Sequence, residues 1–193
     1  MSGFRSETNS RWLTEKLLSI GVNVSSVMVV GDDEENIIYA LNQALNYKDI
    51  DYVFITGGLG PTNDDITLRS LAGFLKSDLF FDEAYFEKLE DRFKDKKIKI
   101  SDTLKNQAMR IKGTDYIKND IGTALGVTFS KNKKTFFAYP GVPAEFKRMV
   151  LDDFFNKKDN IEMNTKSVVF NTMASETKIY EKLKDLIELN KSK

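Results

Sequence analysis

Two adjacent carboxylates, Asp64 and Asp65, stand between two hydroxyls, Thr62 and Thr67, directly after Gly57, Gly58, Gly60 and Pro61. Three of the chain's 11 glycines and one of its 3 prolines thus crowd into a few positions, where a plain turn needs only one such residue. Glycines at this density let a backbone come close to a ligand and turn its N–H groups toward it, as phosphate-binding loops do. Acids, however, repel a bare phosphate. Two explanations stay open. The pair could cap a following helix, Asp64 as N-cap and Asp65 as a first-turn acid. Alternatively, it could hold a divalent cation that bridges to phosphate oxygens.

Familiar phosphate loops do not match. No Gly-Lys-Ser/Thr triplet is present, and Gly58-x-Gly60-x-x is followed by Asn63 where a dinucleotide fingerprint needs glycine. The composition narrows the chemistry further. With no Cys and no His among 193 residues, thiolate or imidazole metal sites and a Cys nucleophile are excluded. Catalysis would have to run on carboxylates, hydroxyls, backbone amides and a hard metal ion. Formal net charge is zero, which argues against general nucleic-acid binding. No apolar run is long enough for a membrane span and no secretory leader is visible, so a cytoplasmic location is expected.

The elements that must position these residues alternate between helix and strand. The spacing predicts helices over 6–20 (Leu13, Leu17, Ile20), after Asp32 or Asp33 (Ile37, Ile38, Leu41, Leu45), over 65–75, after Asp82, from Ser101 through Met109, over 144–155 and over 176–189. Strands are expected at Val22–Val30, Tyr52–Thr56 and Ser167–Phe170, with a hairpin of Ala124–Phe129 and Thr135–Tyr139 across the turn KNKK. This pattern gives an α/β fold, a mainly parallel sheet between helix layers, with a short C-terminal strand-helix segment. The glycine loop then falls at the C-terminal end of a buried strand and the N-terminal end of a helix. Open α/β sheets bind ligands there, and helix N-termini favour anions.

The stretch TGGLGPTNDDIT resembles the signature of molybdopterin-binding (molybdenum-cofactor biosynthesis) domains, in the form found in the CinA, or competence/damage-inducible protein A, family. ETNSRWLTEKLLSIGVNV, VVGDDEENI, NQAMRIKG, KNDIGTALG and YPGVPAEF are similar to further family segments, in the same order, over residues 3–155. The resemblance implies a three-layer αβα domain at 1–155, with 156–193 as linker and strand-helix appendage. It implies a crevice for a nucleotide or pterin phosphate. Gly57, Gly58 and Gly60 would present amides there, with Thr62, Thr67, Asn9, Thr123, Gly141, Pro143 and Glu145 as further binding candidates. For Pro140–Pro143 a rigid turn, and for Glu145 a first-turn acid, remain the plainer readings.

Asp65, spaced Asp-x-Thr with Thr67, is the first choice for metal binding or water activation, and Asp64 the second. The implied cofactor is a divalent metal, Mg²⁺ or a similar hard ion. The implied activity is hydrolysis of a nucleotide pyrophosphate of the ADP-ribose or FAD type. Alternatives are a molybdopterin adenylyltransferase-like role and a non-catalytic binding module. The expected partners are a small nucleotide or pterin phosphate and other copies of the chain, in a dimer or trimer, with no nucleic acid and no membrane. The family's opening strand and Gly-x-Glu loop have no counterpart before Met1-Ser2-Gly3, so a gap or an unpaired sheet edge is expected. The family's C-terminal amidohydrolase domain has no counterpart either, so nicotinamide-mononucleotide deamidation is not expected.

Overall fold

A computed structural model describes residues 8–94, 102–156 and 176–190. The order is α1 (Asn9–Ser19), α2 (Glu34–Asn46), β1 (Tyr52–Thr56), α3 (Thr67–Leu75), β2 (Leu79–Phe81), α4 (Glu83–Lys94), a 3-10 helix (Asp102–Ala108), β3 (Met109–Ile111), β4 (Asp115–Ile117), β5 (Gly126–Lys131), β6 (Lys134–Tyr139), α5 (Pro143–Val150) continuing as one π-helical turn (Leu151–Phe155), and α6 (Glu176–Asn190). The central sheet runs β1-β6-β5-β4. β1 and β6 are parallel, and β5 and β4 extend the sheet in antiparallel sense. The sheet is thus mixed, and its parallel pair is the one that carries the glycine loop. β2 and β3 form a separate antiparallel ribbon.

Alternation along β1 and β6 builds the layers. Val53, Ile55, Phe136 and Ala138 face one side, where they pack with Ile37 and Leu41 of α2 and Leu71, Ala72 and Phe74 of α3. Tyr52, Phe54, Phe137 and Tyr139 face the other, against Leu13 and Leu17 of α1 and Phe146, Met149, Val150 and Phe154 of α5 and its extension. Apolar residues on both faces of a strand are what a sheet covered on both sides requires. Trp12, partly buried against the same cluster, packs edge-on against Phe146 at 5.9 Å. The KNKK hairpin forms with a two-residue turn whose Asn132 and Lys133 both have positive φ, 50° and 64°, as a type I′ turn requires.

The structure corrects several expectations. Val22–Val30 makes no strand. It lies across a cleft of about 1130 Å³ from β1, between the inner faces of α1 and α2. Val27, Met28, Val29 and Val30 are exposed. β1 pairs only with β6 among the described residues, and the cleft holds Val22–Val30 away from its other edge. α3 begins at Thr67 rather than 65, because the Asp65 side chain is engaged in the turn before it. The segment after Ser101 is a 3-10 helix that gives way to β3 at Met109. The three-residue strands β2, β3 and β4 are too short to show a period in the sequence. Asp33 caps α2 through Asn36 N–H (2.8 Å), and Asp82 caps α4 through Tyr85 N–H (2.9 Å). The expected strand Ser167–Phe170 and the beginning of the first predicted helix, residues 6–7, lie outside the described residues.

Candidate functional site

Strand register brings three loops to one edge of the sheet. Thr56 is level with Tyr139, Ala138 with Val127, and Gly126 with Ile117. β1 and β6 therefore end, and β5 begins, where β4 ends. The loops 57–66, 140–142 and 118–125 share that edge with the first residues of α1, α3 and α5. Three helix N-termini contribute partial positive charge there.

The first two loops are stitched together. The buried Asn9 carboxamide donates to Thr56 Oγ1 (2.9 Å) and to the Gly141 carbonyl (3.0 Å). Thr56 Oγ1 in turn donates to the Pro140 carbonyl (3.3 Å), and the Gly57 N–H to the Tyr139 carbonyl (3.0 Å), so Gly57, expected to present its amide to a ligand, spends it on the neighbouring strand end. A Cβ at Gly141 would lie 3.1 Å from Gly57 Cα, so the loops touch glycine to glycine. Pro143 is the first residue of α5, where its missing N–H costs nothing.

Within the motif, two glycines make room for particular groups. At Gly58 (φ 67°) a Cβ would stand 2.2 Å from Thr67 Oγ1, and at Gly60 one would stand 2.4 Å from Asp65 Oδ2. Thr67 is buried and its N–H donates to the Gly58 carbonyl (3.0 Å). Asp65 folds back over its own turn. Its Oδ2 accepts from Thr62 N–H (3.0 Å) and Thr62 Oγ1 (2.6 Å), while its Oδ1 has no partner among the described residues. Asp64 is exposed. The N-cap of α3 is Ile66, without a side-chain cap bond, so neither acid caps the helix. Asp65 instead clasps the turn with one oxygen and leaves the other available.

The third loop is organised by Asn119. Its Nδ2 donates to the Ala124 carbonyl (2.9 Å) and to Glu145 Oε2 (2.6 Å), while its Oδ1 accepts from Ile121 and Gly122 N–H (3.1 and 2.8 Å). A Cβ at Gly122 would fall 2.1 Å from Glu145 Oε2. Glu145 thus reaches from α5 into this loop as a brace. Thr123 is half-buried, and its carbonyl accepts from the Tyr85 hydroxyl (2.8 Å). Arg92 donates to the Gly122 and Ile121 carbonyls (2.7 and 2.9 Å). Thr56, Asn119, Gly122, Asn106 and Gln107 were not singled out from the sequence. KNDIGTALG and NQAMRIKG contain four of them, but only their contacts show what they hold.

As for a metal, no three carboxylates among the described residues stand close enough to form a cage. Mg²⁺ does not demand one. It commonly takes one or two carboxylates and completes its shell with water and substrate phosphates. The free Oδ1 of Asp65, fixed beside a glycine loop, fits that mode.

A family model described as "probable molybdopterin binding domain" matches residues 1–155. A CinA-like protein of Chlorobium phaeobacteroides is 38% identical over 154 residues, covering 78% of this chain and 36% of that protein. A "putative competence-damage inducible protein" of Bacillus cytotoxicus is 34% identical over 184 residues, or 94% and 44% of the two chains. The chain therefore spans less than half the length of these relatives. The crystal structure of the protein CinA, of unknown function, from Thermoplasma acidophilum superposes with a TM-score of 0.68 at 29% identity, covering 78% of this chain and 86% of that one.

Proposed function

The chain belongs to the molybdopterin-binding domain family in its CinA-like form, and from that premise we propose that it binds a nucleotide or pterin phosphate and hydrolyses a nucleotide pyrophosphate of the ADP-ribose or FAD type with a divalent ion, Mg²⁺ or similar. One observation carries this reading. At the C-terminal edge of β1, loop amides and a half-buried carboxylate oxygen, all without partners among the described residues, share a single short loop, Gly58–Asp65.

In this reading the amides of Gly58, Leu59 and Gly60 bind phosphate oxygens, and the dipoles of α1, α3 and α5 favour the same charge. Thr62 fixes the Asp65 carboxylate through Oδ2, so that Oδ1 can hold the ion or take a proton from the attacking water. Water adds to one phosphorus, the bridging P–O bond breaks, and ADP-ribose yields AMP and ribose 5-phosphate. The ion, when bound, would neutralise phosphate charge and make its bound water more acidic. Asn9 and Gly141 keep the 140–142 loop against Gly57, which closes one side of the crevice.

Release of AMP from ADP-ribose and FAD, measured across Mg²⁺, Mn²⁺, Co²⁺, Ni²⁺ and Zn²⁺ and after chelation, tests the proposal. Turnover with at least one ion and none with chelator is expected. An absence of AMP under every ion would leave the chain as a binding module.

A further inference from the structure

The free amides of the glycine loop need an explanation that its glycines do not give. The N–H groups of Gly58, Leu59 and Gly60 have no acceptor among the described residues. Three carbonyls of the loop are held. Gly58 O accepts from Thr67 N–H (3.0 Å), Leu59 O from Gln107 Nε2 (3.0 Å), and Pro61 O from Asn106 Nδ2 (2.9 Å). A trans peptide points its C=O and the next N–H in opposite directions, and no cis bond occurs here. Holding Leu59 O toward Gln107 therefore turns the Gly60 N–H away from Gln107, and holding Gly58 O toward Thr67 does the same for the Leu59 N–H. A glycine-rich segment has little preference of its own between the two faces of such a peptide. The choice must come from outside it.

It comes from the smaller unit beside the sandwich. Asn106 and Gln107 lie on the 3-10 helix that leads into β3. Gln107 is only 4% exposed, and its placement is backed by Arg110, 3% exposed. Arg110 Nη1 donates to the Gln107 carbonyl (2.8 Å), and its Nε pairs with Asp82 at 3.4 Å. Its guanidinium lies over the rings of Tyr85 (4.3 Å) and Tyr116 (4.9 Å). A buried, stacked and ion-paired arginine is a rigid support, since its planar fork has little freedom to lose.

We propose that Gln107 is a positioning residue that orients the Leu59–Gly60 peptide of the glycine loop, so that the free Gly60 amide faces a bound anion, while Asn106 steadies the adjoining turn through the Pro61 carbonyl. This rests on the phosphate-binding reading above. Neither side chain touches the anion; each acts through the carbonyl it holds. Without Gln107 the Leu59–Gly60 peptide can turn, a carbonyl can replace an N–H in the crevice, and anion affinity falls while the fold persists.

The test uses Gln107→Met and Asn106→Leu, which keep similar bulk, remove the donors and add no charge. Inorganic pyrophosphate is titrated into the wild type and each variant, with calorimetry and with ¹⁵N–¹H spectra that resolve the Gly58, Leu59 and Gly60 amides. In the wild type these amides should shift saturably. Loss of one charge-assisted hydrogen bond corresponds to about tenfold or more in affinity, so Gln107→Met should bind at least that much more weakly, with its remaining spectrum unchanged. Asn106→Leu should weaken binding less, because the peptide it steadies ends in the Thr62 N–H already held by Asp65, and Gln107→Asn, one methylene too short to hold the Leu59 carbonyl, decides the matter if Gln107→Met does not fold. Unweakened affinity in a folded Gln107 variant, or unresponsive amides in the wild type, overturns the proposal. ADP-ribose turnover separates it from the hydrolysis reading. Weakened pyrophosphate binding without turnover in any form leaves positioning intact and removes hydrolysis. Turnover with an unchanged KM in the variants does the reverse.

Discussion

Asp65 commits one carboxylate oxygen to Thr62 and keeps the other free, and that division sets what its neighbours can tolerate. Gly60 is the sensitive one, because a methyl group there would meet Oδ2 at 2.4 Å. Gly60→Ala should displace the carboxylate without changing any charge. AMP release should fall on the order of 10²-fold, as when an essential electrostatic group is lost. Asp64, exposed and outside the cap of α3, should tolerate Asn within about 0.5 kcal/mol of stability; paired melting and turnover assays check both variants. The glycines and Asp65 were legible in the sequence because their density has no cheap local explanation. Thr56, Asn119 and Gln107 were not. Each is an ordinary polar residue whose role depends on a carbonyl brought to it by the fold, at Pro140, Ala124 and Leu59.

The hairpin β5–β6 was visible in the sequence because KNKK separates two apolar runs, and the turn it makes carries a testable cost. Lys133 holds φ at 64°, a conformation that costs a side-chain-bearing residue about 1 kcal/mol. Lys133→Gly completes an Asn-Gly turn, and chemical denaturation should show a gain of about 0.5–1 kcal/mol. The tyrosines within the elements predict an alkaline limit. Burial raises the Tyr139 phenol well above its ordinary 10, with the Asp153 carboxylate adding to the effect. Burial raises Tyr85 and Tyr116 too. Above about pH 10 the unfolded chain releases these protons while the folded chain keeps them, so stability falls as pH rises, and below that pH the groups have no effect. Melting temperatures followed upward from about pH 8 should decline beyond about pH 10, and Tyr139→Phe should flatten the decline.

Over the whole molecule, the two faces of β1 and β6 make the layers, and the alternation of their residues was legible in YVFIT and TFFAY. The open side was not legible in the Val-rich stretch 22–30. Its composition favours a strand, but a strand needs a partner, and a cleft separates it from β1. An unpaired edge next to exposed Val27–Val30 is a surface that a chain tends to cover. We propose association into a dimer or trimer. Light scattering at high concentration should give a multiple of 22.0 kDa, whereas a monodisperse species at that mass would contradict it. No helix among the described residues is long and apolar enough to cross a membrane.

The central claim is that the glycine loop binds phosphate while Asp65 serves the chemistry. Asp65→Asn tests it most directly, with ADP-ribose affinity and AMP release measured on the same preparation. Asn retains an acceptor for Thr62 but removes the charge, so the variant should fold, bind ADP-ribose within several-fold of the wild type, and lose turnover on the order of 10²–10³-fold. AMP release at the wild-type rate from a folded Asp65→Asn variant would contradict the account.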